Sequence, residues 1–569
     1  MPRVIPKTVA DSRSQPFSAL PALLPFCAGL CALGLLLAAP GGHAAVKPAT
    51  MAVATENATA SREAMAELAA GGNAVDAVVR AMLVSGITSP VSSGLGGGGF
   101  AMVWNAAKRE PYVLDFRETA PAGIDAAAFE ARPFEPAQRA RATGVPGEVA
   151  GMWELQHSFG KRKWRDVVLP AARVAQGGFP VSPHLGNALA SKFSARFKAD
   201  EGLAALFFPK GTAATAGQTL RNPKLARSLT TLAEQGRGAF YGGPLGRELV
   251  KTAHDMGGAL TDADLLAYKP LPRTPLHVSW EGYDVYTMPL PSAGGLMLAE
   301  TLSLFSKDEL RKLGQDTGAY QHTLAEAMRG ALSDRMRLLG DPDFEKVDSA
   351  GLLDPKRITA RKALISTERT HALPRFSQEE HGTHHLVVID AEGNVASVTT
   401  TVNSAFGAKL TTPTGGIVLN DQLDDFTKAA EVAPFGLKQS PNRPRAGARP
   451  ISSMTPTIVV KDGKVVFALG GSGGQLIATN VTQLLLGRLA FGTSVDALVK
   501  QPRFFVPTSG VTMLVEQGTP QPLLDDLKWR GEVVNVMPEN PSGVQMIAVD
   551  ENGVSAASDP RKHGSALMR

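Results

Sequence analysis

Cysteine is nearly absent. The 569-residue chain holds two, Cys27 and Cys31, both inside its first 45 residues. Neither follows the small residue that a lipoprotein cleavage site requires. A mature chain lacking those 45 residues would carry no thiol, which excludes a disulfide scaffold, a cysteine nucleophile and a thiolate metal centre. Clustered positive charge is absent too. The net charge is +5 and the pI near 9.0, but no run of Lys and Arg interleaves with aromatic residues, so no nucleic-acid partner is expected. Long apolar runs are confined to one, Leu20 to Ala39. Arg3, Lys7 and Arg13 precede it, and Pro40-Gly41-Gly42-His43-Ala44-Ala45 follows. That order describes a secretory signal peptide over residues 1–45, with an uncleaved anchor as the alternative. Pro21, Pro25 and the small-residue exit favour cleavage. The expectation is a periplasmic or secreted protein, with no membrane association once the signal is removed.

What remains is ordinary globular material, 44% hydrophobic and 20% charged, and long enough for one large or several ordinary domains. Ser61 to Ala70 has helical spacing. Asn73, with Asp76 three residues on, caps a second helix through Leu83. A glycine-rich segment, Ser93 to Gly99, leads into a strand at Phe100 to Trp104. Helical patterns dominate from about 145 to 380, for example Pro223 to Gln235 and Thr323 to Leu339. Near residue 380 the character changes to three hairpins, turning at Glu392-Gly393-Asn394, Asp462-Gly463 and Glu551-Asn552-Gly553. Their dense Val, Thr and Ile predict sheets covered on both faces, hence an α+β layered protein. Between the hairpins, Lys428 to Pro450 is rich in Pro and Gly and reads as a cover over a site.

Three segments could carry chemistry. Gly94 to Gly99 satisfies G-x-G-x-x-G, but a dinucleotide site needs strand, loop, helix, and the order here is helix, loop, strand. Gly470-Gly471-Ser472-Gly473-Gly474 satisfies G-x-S-x-G between a strand and a helix, with Asp525 or Asp526 and His563 available to complete a triad. Its other reading is a glycine turn whose N–H groups form an oxyanion hole. Gly382-Thr383-His384-His385 opens the first hairpin. Adjacent histidines on a strand face opposite ways and cannot share one metal ion. A threonine freed as an N-terminus would carry its own base, and cleavage before Thr383 would create that arrangement. Periodicity does not say whether the cut occurs.

Across the whole mature chain these segments resemble the gamma-glutamyltransferase (glutathione hydrolase) family of N-terminal-nucleophile enzymes. The resemblance rests on Gly71 to Ala77, Ser93 to Phe100, Leu114 to Pro121, Val145 to Gly147, Gly340 to Phe344, Gly382 to His385, Asn420 to Phe426, Arg449 to Met454, Gly473-Gly474 and Ala557 to Arg561. It implies a four-layer αββα sandwich of the N-terminal-nucleophile hydrolase type, built from two subunits of one self-cleaved precursor: a large one (46–382) and a small one (383–569). Thr383 would be the nucleophile, Thr401 the hydroxyl that orients it, and Gly473 and Gly474 the oxyanion holders. Arg117, with Ser452 and Ser453, would take the substrate alpha-carboxylate, and Asp425, with Asn403 and Gln422, its alpha-ammonium. The implied partners are glutathione and other gamma-glutamyl compounds as donors, and water, amino acids or dipeptides as acceptors. No metal or organic cofactor is implied.

The sequence departs from the family at three places. His384 replaces a small or hydroxyl residue, Asp421 stands where asparagine is common, and Lys428 to Arg449 matches the family's lid loop only loosely. Ser472 falls where the family often has proline, which argues against it as nucleophile. Cephalosporin acylases share most of this framework. The alternatives are therefore a cephalosporin-acylase-like amidohydrolase of the same fold, or a serine hydrolase using Ser472.

Overall fold

Strands dense in Val, Ile and Thr pair into two stacked sheets at the centre of a computed structural model. It describes residues 49–569 apart from 133, 135, 372–381, 508, 509 and 539. The signal-peptide expectation for residues 1–45 lies outside the described residues. The described residues pack as one unit.

The strands of the two large sheets, in chain order, are β1 (Ala52–Thr55), β2 (Gly98–Asn105), β3 (Glu110–Phe116), β4 (Leu271–Arg273), β5 (Leu276–Trp280), β6 (Tyr283–Thr287), β7 (Thr383–Ile389), β8 (Val395–Thr401), β9 (Thr457–Lys461), β10 (Lys464–Ser472), β11 (Gly543–Asp550), β12 (Gly553–Ser558) and β13 (Ser565–Met568). The first sheet runs β13-β1-β7-β8-β2-β3-β4 and the second β12-β11-β10-β9-β6-β5. Every ladder within them is antiparallel. The three expected hairpins are β7–β8, β9–β10 and β11–β12.

All seven residues of β7 and all seven of β8 are buried, which requires cover on both faces. On one face Leu386 and Val388 pack with Val75, Val78 and Met82 of the helical layer. On the other, Val387 and Ile389 pack with Phe467 and Met546 of the second sheet. Helices α1 (Ala58–Ala69) and α2 (Ala74–Thr88) cover the first sheet, and α3 (Ala293–Leu304) and α4 (Leu476–Phe491) cover the second. The architecture is the four-layer αββα sandwich.

Local signals in the sequence explain where the helices start. Asn73 Oδ1 accepts from the Val75 and Asp76 N–H groups, and Asp76 returns a bond to Asn73 N, the expected capping box. The first helix begins at Ala58, three residues earlier than its apolar spacing suggests, because Asn57 caps it. Pro223–Gln235 is helical as expected. The pattern expected from Thr323 belongs to a longer helix, α5 (Gly318–Leu338), capped by Thr317. Strands from before and after residue 383 share both sheets: in the first, β7 lies beside β1 and β8 beside β2, and in the second β9 lies beside β6. A cut at that point would leave each sheet knitted across the break.

Candidate active site

The first residue of β7 is Thr383, two-thirds of the way along the chain and 5% exposed. Opposite it in the ladder is Thr401, the last residue of β8. The chain leaves β8 through Asn403, whose φ of +75° turns it sharply, and Asn403 N donates to Thr401 Oγ1 at 2.8 Å. Thr401 Oγ1 in turn donates to the Gly382 carbonyl oxygen at 3.1 Å, the carbonyl of the peptide bond that precedes Thr383.

Around this point Arg117, Thr383, Thr401, Asn403, Gln422, Asp425, Ser452, Ser453 and Gly474 line one small cleft, with Met454 and Ile477. They come from six separate stretches of chain. Arg117 follows β3 directly, and its guanidinium pairs with Asp425 while also donating to the Pro450 and Ile451 carbonyls at 3.2 and 3.3 Å. Gln422 Nε2 donates to Asp425 Oδ2 at 2.7 Å. Gly473 and Gly474 join β10 to α4 with φ of +109° and +60°. A Cβ on Gly473 would lie 2.6 Å from Ser542, so the turn needs glycine there.

The match to known proteins is extensive. The family model for gamma-glutamyltranspeptidase matches residues 60–568. The chain belongs to the gamma-glutamyltranspeptidase family, a family of hydrolases and transferases. It is 32% identical to the glutathione hydrolase proenzyme of Bacillus subtilis (strain 168), over 90% of this chain and 91% of that protein. It is 34% identical to the glutathione hydrolase proenzyme of Escherichia coli (strain K12), over 90% of each. The structure of a cephalosporin acylase from Bacillus halodurans superposes with a TM-score of 0.82 at 25% identity, covering 94% of this chain and 98% of that one.

Nine of the ten site residues expected of a gamma-glutamyltranspeptidase therefore line the cleft, and Gly473 adjoins it. Asp421, the departure from the family's usual asparagine, is paired: Lys409 Nζ lies 3.0 Å from its carboxylate and Ser404 N donates to it at 2.9 Å. Asn403 reaches the Asp421 backbone carbonyl instead, at 3.0 Å.

The serine alternative is corrected. β10 lies between antiparallel neighbours, β9 and β11, whereas a serine elbow tops a parallel sheet. Ser472 is fully buried. Asp525 and Asp526 sit on the Gln521–Trp529 helix, engaged with Gln521 and Lys528 and with Arg530. The histidines divide as expected: His384 Nε2 lies 3.1 Å from Ser85 Oγ on the helical side, and His385 Nδ1 lies 2.8 Å from Thr399 Oγ1 on the other. Burial pushes both rings down to about 3, so both are neutral. A further cluster, His322, Glu326 and Glu532, brings potential metal-ligand atoms within 4.8 Å of one another. Arg329 pairs with both carboxylates, and the His322 nitrogens face Glu532 and the Ser366 carbonyl, so this is an ion-pair network.

Several supporting residues escape sequence reasoning. Arg335 on α5 donates to Ser453 Oγ from 118 residues away. Tyr268 Oη donates to the Arg117 carbonyl at 2.9 Å. Asn442, inside the Pro/Gly-rich segment, donates to the Asp425 carbonyl at 2.6 Å and accepts from Ile451 N at 2.9 Å. That segment is thus pinned at its middle, between two parts of the cleft wall. Glu118 is fully buried beside Arg117, and burial drives its carboxyl up to about 8, against the pull of Arg117. Glu56 accepts from His385 N at 3.0 Å and is pushed up to about 7 by burial, partly offset by Lys562. No periodicity marks these side chains, and only Glu118 falls within a matching segment, Leu114 to Pro121.

Proposed function

We propose that the chain is the precursor of a gamma-glutamyltransferase and glutathione hydrolase that cuts itself between Gly382 and Thr383. The observation that carries this reading is the meeting of Thr383, Thr401, Arg117 and Asp425 in one cleft, with the Gly382 carbonyl already held by the Thr401 hydroxyl. The names of the bacterial relatives, which describe proenzymes, support a processed enzyme.

In processing, Thr383 Oγ attacks the Gly382 carbonyl carbon, the C–N bond breaks, and the resulting ester is hydrolysed. Two chains result, a large subunit (46–382) and a small one (383–569), held as a heterodimer by the shared sheets. Thr383 now has a free amine. That amine takes the hydroxyl proton as Oγ attacks the gamma-carbonyl of glutathione or a similar amide. The N–H groups of Gly473 and Gly474 stabilise the oxyanion, and the amine product leaves with the proton. Water, an amino acid or a dipeptide then takes the glutamyl group.

The Arg117–Asp425 pair suits a zwitterionic substrate. Both side chains are almost fully buried, so either charge alone would be costly to leave unpaired. A glutamyl head supplies a carboxylate for Arg117 and an ammonium for Asp425, with Ser452, Ser453, Asn403 and Gln422 as neutral partners. Export through a cleaved signal over residues 1–45 places this chemistry in the periplasm or outside the cell.

Purified wild type, Thr383→Ala and Ser472→Ala test the reading on denaturing gels and with a gamma-glutamyl anilide. Wild type should give two bands and activity, Thr383→Ala one inactive band, and Ser472→Ala two bands with substantial activity. A cleaved, active Thr383→Ala would end the proposal. A second reading, a cephalosporin-acylase-like amidohydrolase, is favoured by the acylase structure that superposes over nearly the whole chain.

A further inference from the structure

A second cavity, of about 210 Å³, lies on the helical side of the first sheet, apart from the cleft of Thr383. Its wall is apolar, formed chiefly by Met82, Leu83, Leu206, Leu225, Leu229 and Ile417, and parts of the chain from before and after residue 383 both contribute. An apolar cavity of roughly 150 Å³ is large enough to stay dry and take up benzene, so this one has room for a longer hydrocarbon group.

Its two ends differ. At the inner end Ser93 is fully buried, with a hydroxyl that has no hydrogen-bond partner, and Glu148 is 1% exposed. Glu148 Oε2 accepts from Thr400 Oγ1 at 2.6 Å. Burial disfavours the charged form of Glu148 and drives its carboxyl well above the ordinary range. At the mouth Arg221 and Lys224 are exposed, and none of the residues lining the mouth is an exposed carboxylate. An apolar channel with a cationic rim and a fully buried floor that disfavours charge complements one class of molecule, a single alkyl chain ending in an anion.

We infer that this cavity is a binding site for a medium-chain carboxylate, its alkyl chain running inward past Leu206 and Leu229 and its carboxylate at Arg221 and Lys224. Because the floor residue Glu148 holds Thr400, the neighbour of Thr401 on β8, the cavity floor is one hydrogen bond from the strand that ends in the cleft. The inference does not depend on which acyl group the cleft takes.

Calorimetric titration of the purified full-length protein with hexanoate, octanoate and decanoate, each below its micelle-forming concentration, tests it. One molar equivalent should bind, about fourfold more tightly for each added methylene until the cavity is full. Ala205 is exposed at the rim on the Glu201–Phe207 helix, so Ala205→Trp should plug the mouth without touching the core. That variant should melt like wild type and lose decanoate binding. Lys224→Glu should weaken decanoate about fivefold and leave decanol unchanged. No saturable binding, or decanoate binding unaltered in Ala205→Trp, overturns the site. Equal affinity for decanoate and decanol, unchanged by Lys224→Glu, overturns the anionic head.

Discussion

Replacing Asp425 by asparagine separates the two acyl groups the cleft could accept. A gamma-glutamyl amide carries an alpha-ammonium, and a glutaryl amide is the same chain without it. On the proposed reading Asp425 is the carboxylate that faces this group, and its side chain is 5% exposed, so a bond from an ammonium would be charge-assisted and shielded from water. Such bonds contribute about 1.5–3 kcal/mol, roughly 10- to 150-fold in kcat/KM. Wild type should therefore prefer gamma-glutamyl p-nitroanilide over glutaryl p-nitroanilide by at least tenfold. Asp425→Asn should lose most of that preference by falling on the first substrate and holding on the second. Stability sets the control. Removing one member of a buried ion pair costs about 3–5 kcal/mol, but asparagine keeps an oxygen for Arg117 and the loss should lie at or below the lower end. The variant is therefore assayed well below its own melting temperature, after two bands confirm processing. An equal fall on both substrates would refute the assignment of Asp425 to the ammonium, and a wild type that prefers the glutaryl amide would favour the acylase reading.

Two other predictions follow from buried groups. Glu118 titrates near 4.5 when unfolded and is pushed up to about 8 in the fold by burial, with Asp425 and Asp421 also raising it and Arg117 opposing. The unfolded state thus loses its proton first, and stability should fall between those pH values by about 1.4 kcal/mol per pH unit. Glu118→Gln should flatten that fall, gaining on wild type in melting temperature from pH 5 to pH 8; a constant difference would mean that Glu118 is ionised throughout. Thr401→Val removes the donor to the Gly382 carbonyl while keeping the side chain's shape, and should slow the appearance of two bands about a hundredfold in a timed gel. Processing at the wild-type rate would separate Thr401 from the cut.

The sheets were legible because their pattern is local. The β7–β8, β9–β10 and β11–β12 hairpins each declare themselves by a Gly or Asn turn between runs of Val, Thr and Ile. The Asn73 capping box is equally local. The pairing of β7 with β1, more than 300 residues earlier, is not written in any such pattern. The site residues divide the same way. Those within matching segments, such as Arg117 and Asp425, could be named from the resemblance. Arg335 and Tyr268 reach the cleft wall across 118 and 151 residues, Asn442 ties two parts of it together, and a lone arginine on a helix looks like any solvated charge until its partner, Ser453, is in view. The mutual pairing of Arg117 and Asp425 was also out of reach, since each was assigned to a different end of the substrate.

The position of the bond before Thr383 argues that strain, polarisation and retention meet in one place. Gly382 has a φ of +90°, and a Cβ there would lie 2.2 Å from the Asn403 carbonyl oxygen, so the residue ahead of the threonine has to be glycine. Its carbonyl is polarised by the Thr401 hydroxyl, in the sense that attack on its carbon requires. Thr383 itself lies in a strand paired along its length with β8, so scission would release the Gly382 side and leave the threonine where it stands. Once the Gly382 carbonyl departs, the Thr401 hydroxyl loses its acceptor while remaining opposite Thr383 in the ladder. On the proposed reading that same hydroxyl turns to the threonine Oγ, and one side chain serves first the cut and then the enzyme that the cut creates.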